Sequence, residues 1–139
     1  MSVKKMTNYW LRTNKCENFD DKDFELWDTK QTRAYNPGDK IIFYVTNGPG
    51  QYYLVGVYEY AGNRKVKPLI YLPEERWLPR PPIAEWRELL KESLENNTPF
   101  DVEGTAWIGR VASEGLLLTE GDFNRLQDMI YEEFEGLKR

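Results

Sequence analysis

The sequence of 139 residues contains no histidine and a single cysteine, Cys16. Without histidine the chain has no Ser-His-Asp or Cys-His triad, no histidine general base and no His-based zinc site. One cysteine excludes an intramolecular disulfide and a Cys/His zinc finger, and it indicates a reducing compartment, for which we expect the cytoplasm. These absences leave a binding module, or an enzyme that works with lysine, threonine, tyrosine and carboxylates. We expect no metal and no cofactor.

Phosphate-binding loops and long hydrophobic runs are also missing. The sequence has neither a G-x-x-x-x-G-K-[ST] loop nor a G-x-G-x-x-G loop, which cradle nucleotide phosphates in many enzymes. No window approaches the roughly 20 apolar residues of a membrane span, and the polar residues 1–8 lack the apolar region of a signal peptide. We therefore expect neither a membrane partner nor a secretory signal.

Charge is distributed unevenly along the chain. Residues 1–90 carry 14 Lys and Arg against 12 Asp and Glu, whereas residues 91–139 carry 5 against 11. The net charge of −4 argues against tight, unspecific coating of nucleic acid. It is compatible with a site that recognises one nucleotide, which we expect in the N-terminal two-thirds of the chain.

Turn signals and hydrophobic spacing predict an α+β fold in a single domain, residues 1–139. Runs of β-branched and aromatic residues predict strands at 9–13, 40–46, 52–60, 66–72 and 105–111. Apolar spacing predicts helices at 16–26, at 83 to about 96, and after a capping sequence at 119–122. The proline-rich residues 73–82 are expected to run extended. The predicted architecture is a small, mostly antiparallel sheet with about three helices around it.

Two tryptophans stand apart from the other aromatic residues. Most of the five Trp, nine Tyr and six Phe are expected in the core, and Trp86 lies on the apolar stripe of a predicted helix. Trp27 and Trp77 instead lie in polar, non-periodic segments. A large ring beside charges fits a ligand-stacking surface, and it fits equally a residue that caps one end of the sheet. Gly56, inside a predicted strand, indicates a bulge or the close approach of another backbone.

A series of motifs resembles the EVE domain of the PUA-like superfamily. In chain order they are Tyr9-Trp10-Leu11, an acidic segment ending at Trp27, Pro37 to Tyr44, Val57-Tyr58-Glu59, Arg76 to Arg80, Pro82-Ile83 and Leu118 to Phe123. The Pro-Gly-Asp-Lys opening of the strand at 40–46 is the most specific of them, and the resemblance covers nearly the whole chain. It implies a PUA-like fold, with a small and mostly antiparallel β-sheet or barrel.

Two segments are also similar to the related YTH domains, which read methylated adenine in RNA. Trp27-Asp28-Thr29 stands where that family has a cage tryptophan, and residues 45–51 resemble its glycine-containing hairpin loop. Members of the superfamily bind modified nucleobases. The resemblance therefore implies a binding module for a modified nucleobase in DNA or RNA, without catalysis of its own. Any downstream action would come from a protein effector partner or from steric blocking.

Candidate site residues follow from this resemblance and from side-chain chemistry. Trp27 would stack on a flipped base, while polar side chains would read the edge of that base. The candidates for ligand binding are Trp27, Thr13, Asn14, Glu25, Thr29, Asn47, Gln51, Tyr53 and Trp77. The candidates for phosphate contact are Lys30, Arg33, Arg76 and Arg80. Glu25 also fits a solvated helix residue, and Asn47 also fits a residue that only shapes the turn.

Two other functions remain open at the level of the sequence. The ASCH domains of the same superfamily include amidohydrolases that act on acylated cytidine. Thr13 as nucleophile, Lys15 as its base and Glu59 as the orienting group are the residue types such an enzyme needs. The third alternative is a protein-interaction module without a nucleotide ligand, in which the acidic C-terminal helix docks a basic partner.

Overall fold

The computed structural model describes residues 7–15, 24–26, 30–46, 51–96, 111 and 115–136. Within these residues the strands are β1 (Tyr9–Lys15), β2 (Phe24–Glu25), β3 (Lys40–Thr46), β4 (Tyr52–Gly62), β5 (Lys65–Tyr71), β6 (Leu78–Pro79) and β7 (Leu116–Leu118). The helices are α1 (Lys30–Ala34), α2 (Ile83–Leu89), α3 (Lys91–Asn96) and α4 (Glu120–Gly136). The predicted α+β fold class is confirmed. The single helix predicted from residue 83 is two helices, because the backbone leaves helical geometry at Leu90, with φ −106° and ψ 6°.

The seven strands form one mostly antiparallel sheet. Its order is β2-β5-β4-β3-β1-β7, and β6 pairs with the first part of β4. Among the described strands only β1 and β3 pair in parallel, and the other pairings are antiparallel. The described path of the sheet does not close, so of the two expected forms the open sheet is the one observed.

Both faces of the sheet are covered, as the unbroken apolar run of β3 predicts. Ile42 and Tyr44 point to one face, where they pack with apolar residues of α2, α3 and α4. We call this side the helix face. Ile41 and Phe43 point to the opposite side, where they pack in a second cluster with Tyr35, and we call it the Tyr35 face. Alternation along β1 and β4 therefore decides which of the two faces each candidate residue meets.

Asp39 joins the start of β1 to the start of β3. Its carboxylate accepts hydrogen bonds from the backbone N–H groups of Asn8 at 3.1 Å and Asn36 at 3.0 Å, and from the indole Nε1 of Trp10 at 3.1 Å. The residue is 2% exposed, so these donors replace the water that the carboxylate loses. The network supports the parallel register, in which Tyr9 lies beside Lys40.

Gly56 lies where β5 approaches β4 too closely for a side chain. A Cβ at this position would lie 2.6 Å from the carbonyl oxygen of Ile70 and 3.1 Å from the Cα of Tyr71. The pairing of β3 with β4 also shifts between Phe43 and Tyr44, which leaves one extra residue in β4 directly before the glycine. The predicted bulge and the predicted close approach are both confirmed.

Strand β2 corrects the prediction of a helix over residues 16–26. Phe24 and Glu25 pair with Val66 and Lys65 of β5, because an extended segment at the sheet edge satisfies backbone groups that an isolated short helix end would leave to water. Residues 16–23 lie outside the described residues.

Four short elements also differ from the predictions. The proline-rich segment holds a short 3-10 turn, Glu74–Arg76, and strand β6. Helix α1 and strand β7 were not predicted, since five and three residues are too few to show a period. Of the strand predicted at 105–111, only Val111 belongs to the described residues.

Helix α4 begins at the predicted cap. The hydroxyl oxygen of Thr119 accepts a hydrogen bond from the backbone N–H of Asp122 at 3.2 Å. The buried carboxylate of Asp122 accepts bonds from the backbone N–H and the hydroxyl of Ser93, at 2.9 and 2.7 Å, which ties α3 to α4. Trp86 of α2 is 1% exposed in the helix-face core, as predicted. In the part of the chain that the structure covers, no helix has the length and hydrophobicity to cross a membrane.

Candidate functional site

The strand register gathers several candidate residues at one end of the sheet. Because β1 and β3 are parallel, they end at the same edge, and the antiparallel β4 begins there. Asn14 of β1 lies beside Val45 of β3, which lies beside Tyr53 of β4. We call this row and its surroundings the hairpin end. The opposite end, where Tyr9, Lys40 and Glu59 are in register, is the Asp39 end.

An aromatic pair occupies the Tyr35 face of the hairpin end. The rings of Tyr53 and Trp77 have centroids 6.1 Å apart and are tilted by 46°. The indole Nε1 of Trp77 donates a hydrogen bond to the carbonyl oxygen of Leu72 at 3.0 Å, which fixes the orientation of the ring. Trp77 is half-buried and packs against both core clusters. It therefore has a structural role, and part of its surface remains at the hairpin end beside Tyr53.

A cation and stacked rings occupy the helix face of the same end. The guanidinium of Arg80 lies 5.1 Å from the ring centroid of Tyr52, and its Nη1 donates to the hydroxyl of Tyr44 at 3.4 Å. The Tyr44 ring stacks on Tyr52 at 5.1 Å and on Trp86 at 5.4 Å. Burial raises the pKa of Tyr44 to about 12, against the opposing effect of Arg80. The arrangement holds one positive charge against a flat aromatic surface.

The two candidates at the end of β1 point to different faces. The hydroxyl of Thr13 donates to the carbonyl oxygen of Val111 at 3.4 Å, and Val111 belongs to the helix-face core. Asn14, the next residue, points to the Tyr35 face, because successive side chains alternate along a strand. Asn14 therefore shares its face with Tyr53 and Trp77, whereas Thr13 shares the opposite face with Arg80.

Several candidates are not brought to this end. Glu25 pairs with Lys65 beyond the Asp39 end and forms an exposed ion pair with Arg64. Arg76 is exposed and pairs with Glu133 of α4 at 3.3 Å. Gln51, in contrast, lies at the hairpin end, exposed directly before β4, and Arg33 is exposed on α1.

Some predictions fall on residues whose positions the structure does not describe. Trp27, Thr29 and Asn47 lie outside the described residues, as does the side chain of Lys30. Their assignment as base-binding or phosphate-binding residues stays a prediction.

Glu59, the orienting group of the hydrolase alternative, lies far along the sheet from Thr13. Thr13 lies four positions beyond Tyr9 on β1, whereas Glu59 is in register with Lys40 and Tyr9 at the Asp39 end. At the usual rise of a strand this alone places them about 13 Å apart along the sheet. Glu59 pairs instead with Lys67, at 3.8 Å. Thr13 and Glu59 thus cannot act on one bond, because catalytic groups must lie within hydrogen-bonding reach of each other.

Arg12 is a buried cation that the sequence analysis did not select. It is 6% exposed, and its Nη1 donates to the hydroxyls of Thr32 at 2.8 Å and Tyr35 at 3.3 Å. Its Nε is buried and has no hydrogen-bond partner. The only signal in the sequence is its position, two residues before Asn14 and therefore on the same face. The described residues contain no cluster of three or more His, Cys, Asp or Glu that could hold a metal ion.

Comparison with known proteins finds similarity in structure and not in sequence. No protein-family model matches the sequence, and no curated protein matches it. A hypothetical protein from Leishmania major has a TM-score of 0.52 and 13% identity, covering 92% of this chain and 97% of its own. The DUF55 domain of human thymocyte nuclear protein 1 has a TM-score of 0.50 and 12% identity, covering 88% of this chain and 98% of its own.

A second structure of the human protein is a complex with 5-methylcytosine-containing DNA. It has a TM-score of 0.49 and 11% identity, covering 88% of this chain and 97% of its own. The expected EVE resemblance is thus confirmed in the fold, since the chain folds like the DUF55 (EVE) domain of thymocyte nuclear protein 1.

Proposed function

We propose that the chain is a binding module that recognises a modified nucleobase in DNA or RNA at the hairpin end, without catalysis of its own. One observation carries the proposal: strand register brings Asn14, Tyr53, Trp77 and Arg80 to the same end of the sheet. This end combines aromatic surface, an amide and a fixed cation. These are the groups that a base removed from its stack requires.

Each group has a role that follows from its chemistry. The rings of Tyr53 and Trp77 offer an apolar surface for a base and for an added methyl group, by burial and dispersion. The amide of Asn14 has donors and an acceptor, so it can bond to the edge of the base. In the same proposal Trp27 is the ring that stacks on the base, as the resemblance to YTH domains implies.

Arg80 is the proposed phosphate contact. Its guanidinium lies at the hairpin end, and its stacking on Tyr52 holds it in place. With a net charge of −4, the chain would neutralise few phosphates. We therefore expect weak binding of unmodified strands with a shallow dependence on salt.

The two alternative functions, a hydrolase and a protein-interaction module, agree with the structure to different degrees. A hydrolase built on Thr13 and Glu59 is disfavoured by the separation of these residues along the sheet. A protein partner remains part of the proposal, as an effector that acts after the base is bound.

Fluorescence anisotropy of labelled oligonucleotides tests the proposal. The panel contains 5-methylcytosine, 5-hydroxymethylcytosine, N6-methyladenine, N4-acetylcytosine and unmodified controls in one sequence context. We expect saturable binding of one modified strand, weakened about 5- to 150-fold in Trp27→Ala and in Tyr53→Ala, the loss that stacking energies predict. Tyr131→Ala, on the exposed surface of α4, is the matched control and should bind as the wild type does.

Three results would contradict the proposal. Equal binding of modified and unmodified strands would mean that no base is recognised. Slow conversion of a ligand would establish an enzyme. No binding across the panel would mean that the chain does not recognise these nucleic acids, and it would favour a protein-interaction module.

A further inference from the structure

We propose that Tyr71 is a second stacking position for nucleic acid, which binds the base of an unpaired nucleotide one or two positions away from the modified base. The inference rests on the proposed function. It adds a residue that contacts the ligand outside the base site, and it makes the ligand of that site a single strand.

Tyr71 has a large ring that the fold does not bury. The residue ends β5, is 43% exposed and belongs to neither core cluster. Its neighbours in the chain, Ile70 and Leu72, both pack in the helix-face core. Because successive side chains alternate along a strand, the ring of Tyr71 points to the opposite side, the Tyr35 face. It therefore lies on the same face as Tyr53.

The strand positions beside Tyr71 leave space next to its ring. On one side its partner in β4 is Gly56, which has no side chain. On the other side β2 pairs with Val66 and Lys65, and within the described residues no strand runs beside Tyr71 there. A base stacks on an aromatic ring whose face is accessible, and this position provides such a ring.

Trp77 connects Tyr71 to the proposed base site. Its indole Nε1 donates to the carbonyl oxygen of Leu72, the residue after Tyr71, at 3.0 Å. Its ring centroid lies 6.1 Å from that of Tyr53. Tyr71 is in register with Gly56, three residues beyond Tyr53 in β4, so the two tyrosines lie about 10 Å apart along the sheet. The aromatic surface of the hairpin end therefore continues along the Tyr35 face to the end of β5.

The separation of the tyrosines favours an unpaired ligand. Neighbouring bases of a duplex strand are stacked about 3.4 Å apart, so a base that stays in the stack beside the modified one does not extend about 10 Å to Tyr71. The bases of an unpaired strand separate from one another and stack individually on aromatic side chains. A single strand can therefore contact the base site and Tyr71 together.

The charge of the chain also favours contacts to bases. With a net charge of −4, the chain neutralises few phosphates, so phosphate contacts supply little of its affinity for a strand. Stacking of one base on an aromatic side chain changes affinity by about 5- to 150-fold and does not depend on the net charge. A second stacking position thus supplies affinity that the electrostatics of this chain do not.

Calorimetric titration with ligands of two sizes tests the inference. The probes carry whichever of 5-methylcytosine, 5-hydroxymethylcytosine, N6-methyladenine and N4-acetylcytosine binds in the anisotropy panel, as the free nucleoside and at the centre of a short single-stranded oligonucleotide. We expect Tyr71→Ala to bind the oligonucleotide about 5- to 150-fold more weakly and the nucleoside normally, because only the oligonucleotide extends to Tyr71. Tyr71→Phe, which keeps the ring, should bind both as the wild type does. Leu69→Ala, on the same strand and 46% exposed in the wild type, is the matched control and should also bind both normally.

A change in the ligand keeps the test valid if Tyr71→Ala folds poorly. An abasic nucleotide one or two positions from the modified base, on either side, removes a nearby base and keeps its phosphate. We expect one of these abasic strands to bind the wild type about 5- to 150-fold more weakly than the parent strand. In Tyr71→Ala this abasic strand and the parent strand should bind alike, because coupled groups lose their interaction only once.

The outcomes separate this inference from the proposed function. The function would stand and the role of Tyr71 would be wrong if Tyr71→Ala bound the oligonucleotide as the wild type does, if no abasic strand lost affinity, or if a duplex bound more tightly than the single strand. Equal losses for nucleoside and oligonucleotide would place Tyr71 in the base site and overturn a second position. A loss shared by Leu69→Ala would indicate an apolar docking surface and contradict stacking. If no modified base binds at all, both proposals fail together.

Discussion

A buried charged side chain lies toward each end of the sheet, and the two differ in how completely they are hydrogen-bonded. At the Asp39 end, one carboxylate accepts from two backbone N–H groups and one indole, and little of it is exposed. Toward the hairpin end, the guanidinium of Arg12 is buried on the Tyr35 face, and its Nε bonds to nothing. Both charges lie close to the parallel pair of strands β1 and β3, so the difference does not come from the type of secondary structure around them.

This difference separates structural from functional polar groups. The hydrogen bonds of Asp39 are completed within the chain, so the group stabilises the register of the strands. Arg12 keeps its Nε donor unused at a cost in stability, on the same face as Tyr53, Trp77 and Asn14. A buried donor without a partner requires an explanation, and a ligand that supplies the acceptor is one, although the Nε of Arg87 on α2 is also buried without a partner. The comparison predicts that damage at the Asp39 end costs stability, whereas damage at the hairpin end costs binding.

Asp39→Ala should produce the largest effect on stability. The substitution leaves three donors without an acceptor, and we expect the free energy of unfolding to fall by at least about 3 kcal/mol. Urea denaturation measures the loss. Asp39→Asn, which keeps one acceptor oxygen, should lose less. A loss below about 1 kcal/mol in Asp39→Ala would show that the network does not support the fold.

Gly56→Ala should be the next most destabilising change. The new Cβ would lie 2.6 Å from the carbonyl oxygen of Ile70, so the strands must separate locally. We expect a loss of about 1–3 kcal/mol in thermal or urea unfolding. Gly136→Ala, at the end of α4 with no atom within 4 Å of the added Cβ, is the control and should change little. Equal stability of the two variants would contradict the close approach at Gly56.

Alkaline pH should destabilise both faces of the sheet in the same range. Burial raises the pKa values of Tyr35 and Tyr44 from 10.0 to about 12. Between these values the unfolded chain loses protons that the folded chain keeps, so unfolding free energy is maximal below pH 10 and falls as pH rises toward 12. Urea unfolding across this range measures the slope. Tyr35→Phe should make the slope shallower, and an unchanged slope would contradict the burial of this hydroxyl.

The smallest effect is expected at the exposed ion pair beyond the Asp39 end. Glu25→Ala removes the partner of Arg64, and exposed pairs contribute at most about 1 kcal/mol. We expect almost unchanged unfolding and unchanged affinity for the modified base in the anisotropy assay. A marked loss of binding would show that Glu25 contacts the ligand. It would contradict the assignment of binding to the hairpin end and of stability to the Asp39 end.

The sequence predicts the fold better than the site, and the reason is the range of the interactions. Central strands, the cap at Thr119 and the close approach at Gly56 follow from local patterns. The parallel pairing of β1 with β3 does not, because it joins segments far apart in the chain. Glu25 was chosen for its nearness to Trp27 in sequence, whereas the register of β2 places it at the far end. Arg12 was missed because a lone arginine in a strand gives no sign of burial.

Mapping the ligand on the sheet by NMR tests the central claim most directly. Backbone amide shifts are followed in the wild-type protein during titration with the modified oligonucleotide that binds in the panel and with the free nucleoside that carries the same modification. The account predicts the largest changes at Asn14, Val45 and Tyr53, with little change at Lys40 and Glu59. Changes centred on the Asp39 end, or spread along α4 without any at the hairpin end, would contradict it.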